Sequence, residues 1–174
     1  SILPAQFRLV AATNPCPCGY YGDEHKACRC TPTKVANYLQ RLSGPLLDRI
    51  DLQVAVQRPS PEVLLMPKQG LDTQTAKRWV AQAQARQLAR SGLLNGDLPW
   101  AELEACTKLK SVDDKLLKNA ISRLHLSPRG IHKVLRVART IADLDHTHTI
   151  HKDHLLEALS YRRLDVLSME VEQA

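Results

Sequence analysis

The sequence predicts an α+β fold that is mainly helical, with a short α/β part of two strands followed by a bundle of four helices. Apolar residues make up 44% of the chain and aromatic residues only 4%, so aliphatic side chains must form the core, which suits packed helices. Proline and glycine recur between residues 58 and 70, and helical periodicity follows them. We therefore predict an N-terminal domain (1–58), a linker (59–71) and a helical domain (72–174).

The N-terminal part contains two segments that predict strands. Residues 7–13 are a short apolar run that stops at an Asn-Pro pair, which is typical of a buried strand. Residues 51–57 alternate between apolar and polar side chains. A cysteine-rich loop and two short helical segments, near residues 34–42 and 46–49, lie between them.

The four predicted helices beyond the linker are defined by their caps and apolar faces. Thr73 is placed to cap a helix that ends near Gly92, and either Ser111 or Asp113 is placed to cap the next. The third begins with Ser-Pro, a capping residue followed by proline at the first helical position. The last covers residues 152–159.

The third of these helices carries a basic face. Arg129 lies in its first turn, where free backbone N–H groups favour an anion, so a phosphate site is one interpretation and a solvated arginine is the other. Lys133 and Arg136 continue this face at i+4 and i+7. They predict either contact with phosphate or DNA, or a stripe that is merely solvated.

The spacing of Cys16, Cys18, Cys28 and Cys30 is C-x-C, nine residues, C-x-C. Four soft ligands on one loop predict a tetrahedral structural zinc site, with free thiols as the alternative and disulfides disfavoured in a reducing compartment. His25 is a possible substitute ligand.

A second group of metal-ligating residue types lies near the C-terminus. His146, His148, His151 and His154 do not share one helix face, so we interpret them as exposed loop and cap residues. Cys106 is predicted to be a lone buried thiol.

Charge and hydropathy limit the partners. The formal net charge is +6, made of an excess of three cations in residues 1–58 and three in residues 59–174. An excess spread so evenly predicts only weak nonspecific affinity for nucleic acid or nucleotide phosphates. Because no apolar run approaches the roughly 20 residues that a bilayer requires, we expect no membrane partner and a cytoplasmic location.

Three motifs resemble, in order, those of the ComM/YifB-type magnesium-chelatase-like AAA+ ATPases. FRLVAATNPCPCG (7–19) is similar to their sensor-1 strand and following loop, and SGPLLDRIDL (43–52) is similar to their next signature. SPRG (127–130) with VARTIADL (137–144) is similar to their helical lid. The resemblance spans nearly the whole chain.

The resemblance implies roles for individual residues. Asn14 would be the sensor-1 residue that orients the water attacking the γ-phosphate, instead of part of a simple Asn-Pro turn. Arg49 would be the arginine finger that reaches the ATP of a neighbouring subunit, instead of an ion-pair partner of a nearby aspartate. Arg129 would be the sensor-2 arginine that couples the lid to the nucleotide state.

The sequence contains neither the phosphate-binding loop G-x-x-x-x-G-K-[ST] nor an acidic Mg²⁺-binding motif after a strand. We therefore expect residues 1–58 to be a remnant of an AAA+ core whose upstream part binds ATP and Mg²⁺. The chain alone should be inactive. Both predicted strands would then lack the strand that lies between them, so we expect residues 1–58 to be loosely held or rearranged.

The resemblance implies a homo-oligomeric ring, a hexamer by analogy, that acts on DNA as a helicase-type branch-migration motor in competence-related recombination. One alternative is the ATPase subunit of a true magnesium chelatase, although the cysteine-rich loop argues against it. Another is a zinc-stabilised DNA-binding module without enzymatic activity.

Overall fold

The fold is described here from a computed structural model. The residues that it describes are 7–41, 44–60, 63, 65, 70–109, 111–124 and 126–162. None of the helices formed by these residues is long and apolar enough to cross a membrane.

The described part of the chain is mainly helical, as predicted. Two short helices precede residue 50 and five follow residue 72. They are α1 (Pro32–Leu39), α2 (Gly44–Leu47), α3 (Thr73–Ser91), α4 (Trp100–Cys106), α5 (Ser111–Arg123), α6 (Pro128–Leu144) and α7 (Lys152–Ser160).

Helix α6 is the centre of the helical domain, and its predicted start is confirmed. Ser127 is the N-cap, its hydroxyl oxygen accepts a hydrogen bond from the Gly130 N–H at 3.0 Å, and proline occupies the first turn. Helix α6 packs against α7, α3 and α4, and α5 packs against α7. The core residues are Leu117, Val134, Leu135, Ala138, Ala142, Ile150, Leu155 and Ala158.

Helix α3 ends where the sequence predicts but is capped by a different residue. Asp72, and not Thr73, is the N-cap, and its carboxylate accepts a hydrogen bond from the Thr75 N–H at 2.9 Å. The helix ends at Gly92, whose φ of 70° lies in the left-handed region that glycine adopts at low cost. The one-residue shift arises because aspartate and threonine are both good caps and stand side by side.

Two features of the bundle differ from the prediction. The four-helix prediction missed α4, a single short segment of seven residues that has too few turns to show periodicity. Helix α5 begins at Ser111, so both predicted cap residues, Ser111 and Asp113, lie inside the helix.

The two predicted strands are absent from the described residues. In residues 7–13 there is no strand pairing, and Phe7 and Val10 are 74% and 95% exposed. In residues 51–57 the only pairing described is a single parallel bridge between Gln53 and Arg162. The strand prediction is wrong here because an extended segment becomes a strand only when a neighbour accepts and donates its backbone hydrogen bonds.

The predicted domain limits remain predictions. Part of the proposed linker lies outside the described residues, since only residues 59, 60, 63, 65, 70 and 71 of 59–71 are described.

Candidate anion-binding cleft and metal centre

An open cleft of about 380 Å³ lies at the N-terminal end of α6. It is lined by one segment that follows α2 and by the exposed side of the first three turns of α6. The lining residues are Asp48, Arg49, Arg129, His132, Lys133 and Arg136. The cleft therefore joins residues that are about 80 positions apart in the sequence.

The N-terminal side of the cleft is held against the start of α6 by two polar side chains, Ser127 and Lys133. The Ser127 hydroxyl donates to the Asp48 carboxylate, with oxygen to oxygen distances of 3.0 and 3.1 Å. The Lys133 ammonium donates to the Arg49 carbonyl oxygen at 2.8 Å and to the Asp51 carboxylate at 2.6 Å. Arg49 is thus held at a fixed place relative to the start of α6.

The chain that follows α7 fastens the same segment from the other side. Arg162 is 3% exposed, and its guanidinium donates to the Ile50 carbonyl oxygen at 2.9 Å. The Gln53 N–H donates to the Tyr161 carbonyl oxygen at 2.9 Å. Residues 48–53 are therefore attached to the helical domain.

The cleft is strongly cationic. Two arginines, Arg49 and Arg129, come from its two sides, and the one carboxylate of its lining, Asp48, already accepts hydrogen bonds from Ser127. The Arg129 side chain is exposed and makes no hydrogen bond or ion pair with the described residues. A helix N-terminus adds partial positive charge from its free N–H groups, so the site favours an anion such as phosphate.

Lys133 and Arg136 lie in this cleft and do not form a free basic stripe. Only 15% of the Lys133 side chain is exposed, because its ammonium is engaged with Asp51. The Arg136 guanidinium donates to the Leu98 carbonyl oxygen at 3.0 Å. We therefore assign both side chains first to the architecture of the cleft.

His132 is a cleft residue that sequence reasoning missed. Its ring stacks on Trp100 with centroids 3.6 Å apart and an interplanar angle of 12°. This stack links α6 to α4, the helix that the periodicity did not reveal. A lone histidine on a partly buried helix face carries no such signal in sequence.

Asn14 is not brought to the cleft in the described structure. It is exposed and lies beside Gly19 in the cysteine-rich loop. The neighbouring Thr13 hydroxyl is 3.4 Å from the Tyr38 hydroxyl of α1. The structure therefore groups Arg49 with Arg129 but leaves Asn14 apart.

The four cysteines of the loop converge on one point. The sulfur atoms of Cys16, Cys18, Cys28 and Cys30 all lie within 4.8 Å of one another, and none is in a disulfide. Cys16 Sγ is 3.3 Å from Cys18 Sγ and 3.7 Å from Cys28 Sγ. Sulfurs at about 2.3 Å from a tetrahedral zinc ion are about 3.8 Å apart, so the cluster fits such an ion without large movement.

The thiols of this cluster differ in how readily they ionise. Hydrogen bonds from the Arg29 and Tyr20 N–H groups, with smaller help from the neighbouring thiols, lower the pKa of Cys18 to about 6. The Cys30 N–H acts in the same direction on Cys28, but burial and hydrogen bonds with the Cys18 and Cys16 thiols raise the pKa of Cys28 to about 12. One thiol is therefore readily ionised while its neighbour holds its proton, and a metal ion would have to displace that proton.

The other candidate ligands do not join a metal-binding group in the described structure. His154 is buried and caps α7 together with His151, and its Nε2 lies 3.2 Å from the Asp145 carboxylate. His146 and His148 are exposed. The prediction that the four histidines are exposed loop and cap residues is therefore wrong for His154, which is buried.

A buried polar network that the sequence did not predict holds α3 against α6. The Asp143 carboxylate accepts hydrogen bonds from Arg90 at 2.6 and 3.0 Å, from Asn95 at 2.9 Å and from Arg139 at 3.0 Å. Arg139 and Asp143 are each 1% exposed. Burial alone would raise the pKa of Asp143, but the hydrogen bonds from Arg90 and Asn95 and the charges of both arginines lower it below the ordinary value.

Cys106 differs from its prediction. Its side chain is partly exposed and the thiol is free, so it is not a buried thiol.

Two protein-family models match this chain, one over its N-terminal part and one over its helical part. The family model for the C-terminal domain of magnesium chelatase subunit ChlI matches residues 70–162, which is more than half of the chain. The model for magnesium chelatase subunit ChlI itself matches residues 2–64. The chain therefore belongs to the magnesium chelatase ChlI family.

Individual relatives define the type within this family. The chain is 42% identical over 173 residues to the uncharacterised protein YifB of Escherichia coli, a match that covers 98% of this chain and 33% of YifB. It is 42% identical over 170 residues to competence protein ComM of Haemophilus influenzae, covering 92% of this chain and 31% of ComM. The ComM/YifB-type resemblance is thus confirmed, and the chain spans about a third of the length of these relatives.

Proposed function

We propose that this chain is the nucleotide-sensing and lid part of a ring-forming AAA+ ATPase that acts on DNA, of the helicase or branch-migration type. The single observation that carries the proposal is that Arg49 and Arg129 line the same cationic cleft at a helix N-terminus. The similarity to competence protein ComM supports a DNA substrate.

The two arginines act on one nucleotide in this proposal. Ser127 holds Asp48, and Lys133 holds the Arg49 carbonyl, so the finger segment and the start of α6 move as one unit. If Arg49 reaches the ATP of a neighbouring subunit, Arg129 reaches that same ATP. Arg49 then neutralises charge that develops on the transferred phosphoryl group, and Arg129 reports whether the phosphate is present.

The remaining parts of the ATPase site lie outside this chain. A phosphate-binding loop and an acidic Mg²⁺ site belong to another segment of the longer protein, which supplies ATP and Mg²⁺ binding. Asn14 orients the attacking water once that segment is in place. The chain of 174 residues alone then hydrolyses no ATP.

The test uses the longer protein that contains this chain, measured for ATP turnover and for nucleotide affinity. Arg49→Ala is expected to lower turnover about 10³-fold or more while nucleotide affinity changes little, because an arginine finger acts on the transition state. Arg123→Ala, on the exposed last turn of α5, is the matched control. Retention of turnover in Arg49→Ala would contradict the finger assignment.

The cysteine cluster holds a structural Zn²⁺ in this proposal. The ligands are the four thiolates of residues 16, 18, 28 and 30, and the ion closes a loop that has little apolar core of its own. We expect one zinc ion per chain by elemental analysis, and its loss in Cys28→Ser. Cys106→Ser, outside the cluster, should keep the metal; equal zinc content in all three proteins would contradict the site.

The family description favours one other function, the ATPase subunit of a magnesium chelatase. Such a subunit would drive Mg²⁺ insertion into a porphyrin with partner proteins and would not need DNA. Stimulation of ATP turnover by DNA in the longer protein distinguishes the two functions. An ATP turnover rate that is unchanged by DNA but raised by a chelatase partner complex would favour this second function.

A further inference from the structure

We propose that the face of α3 formed by Arg78, Trp79, Gln82 and Arg86 is a stacking surface for single-stranded nucleic acid. The inference rests on the proposed function for its DNA partner, but it places the contact away from the nucleotide cleft. The contact of Lys133 and Arg136 with phosphate or DNA stays a separate prediction, and their side chains have partners within the cleft.

The charge of α3 is entirely positive. Among residues 73–91 there are four cations, Lys77, Arg78, Arg86 and Arg90, and no acidic side chain. Arg90 is engaged with Asp143, which leaves three cations for solvent or a ligand. A helix with cations only is complementary to a polyanion.

The stacking surface follows from helix geometry. Trp79, Gln82 and Arg86 are separated by three and four residues, so they form one row along the helix, with Arg78 beside Gln82 at i+4. The core-facing residues Ala83 and Gln87 adjoin this row, and Ala83 follows Trp79 at i+4, so Trp79 lies at the edge of the packed face. The half-exposed indole therefore shares this face with two guanidinium groups, one at the preceding residue and one about two turns further along the helix.

Trp79 offers an exposed aromatic ring on this face. It is 47% exposed, although aromatic residues are only 4% of the sequence and the other tryptophan stacks on His132. A base stacks on such a ring whatever its identity, while neighbouring cations hold the backbone phosphates. This combination fits a single strand better than a duplex, whose bases are already stacked.

Arg86 supplies a second, independent indication of a ligand. One of its terminal nitrogens, Nη1, is buried and has no hydrogen-bond acceptor among the described residues. A buried N–H without an acceptor costs free energy, and a phosphate oxygen that reached this guanidinium would satisfy it.

The test measures binding of a fluorescein-labelled oligodeoxythymidine of about 16 nucleotides to the chain by fluorescence anisotropy at several salt concentrations. Trp79→Ala is expected to weaken binding roughly 5- to 150-fold, the range measured for loss of one stacked base. Trp79→Phe should restore most of the affinity, and Trp79→Leu should not, because leucine keeps apolar area but lacks a ring face.

The cations are tested through the salt dependence. Arg78→Gln with Arg86→Gln is expected to reduce the slope of log affinity against log salt by about 1.4, since each single-strand phosphate contact contributes about 0.7. Arg123→Gln with Lys152→Gln removes two exposed cations from α5 and α7 and serves as the matched control. Circular dichroism checks that each variant is folded.

Three results would overturn the proposal. Wild-type affinity in Trp79→Ala, equal affinity in Trp79→Leu and Trp79→Phe, or an equal loss in the control double variant would each show that no stacking surface exists on α3. Loss of binding in Arg129→Ala, with binding by Trp79→Ala unchanged, would show that the nucleic acid contacts the cleft and not α3. None of these results depends on ATP turnover, so failure of the ATPase proposal is measured separately with Arg49→Ala.

Discussion

Residues 7–13 and residues 48–53 come from the same predicted α/β part, but only residues 48–53 are attached to the helical domain. The first segment is the more apolar, yet Phe7, Leu9 and Val10 are 61% to 95% exposed. The second segment is anchored by Ser127, Lys133 and Arg162, none of which is apolar. An apolar pattern alone was not enough to pack residues 7–13. Residues 48–53 are held in place by specific polar partners from the helical domain.

The stability of the helical domain depends on buried charge. We expect Asp143→Ala to lower the free energy of unfolding by about 3–5 kcal/mol, because it leaves the buried Arg139 without its ion-pair partner. The measurement is urea-induced unfolding followed by helical circular dichroism. Asp114→Ala, which removes an exposed pair with Lys118, is the control and should cost less than about 1 kcal/mol.

The same carboxylate predicts a pH dependence. Because the pKa of Asp143 is below the ordinary value in the folded state, its contribution to stability is complete above about pH 4 and is lost as the pH falls through the folded pKa. Wild type should therefore lose more stability between about pH 5 and pH 2.5 than Asp143→Asn does. Parallel losses in the two proteins would show that Asp143 is not the responsible group.

Apolar truncation separates the two parts directly. Leu155→Ala in the core of the helical domain is expected to cost about 2–5 kcal/mol, since the residue is fully buried. Leu9→Ala, at a position that is 61% exposed, should change stability by less than about 0.5 kcal/mol. A large effect of Leu9→Ala in this chain would mean that residues 7–13 are packed after all.

The smallest expected effect concerns the anchor of residues 48–53. Lys133→Met removes the contacts with Asp51 and the Arg49 carbonyl and should cost about 1 kcal/mol or less, because the Asp51 side chain is 55% exposed. Amide exchange at Gln53, whose N–H donates to Tyr161, should nevertheless become faster. Unchanged exchange at Gln53 would indicate that Ser127 and Arg162 hold the segment without Lys133.

Prediction from sequence succeeded where the controlling contacts are local. The start of α6 depends on Ser127 and Gly130, three residues apart, and the end of α3 depends on Gly92 alone. Helix α4 was missed because seven residues carry too little periodicity. The Asp143 network was missed because Arg90 and Asp143 are 53 residues apart and nothing in sequence pairs them.

By itself, the sequence determined the family, the main helices, the cysteine spacing and the identity of Arg49 and Arg129 as candidates, since each depends on neighbouring residues or on a continuous motif. Only the tertiary structure placed those two arginines in one cleft, because this required hydrogen bonds across 79 and 84 residues. It also decided that residues 7–13 form no strand here and that Asn14 lies apart from the cleft. Pairing and convergence depend on which distant groups meet, and that is a property of the whole fold.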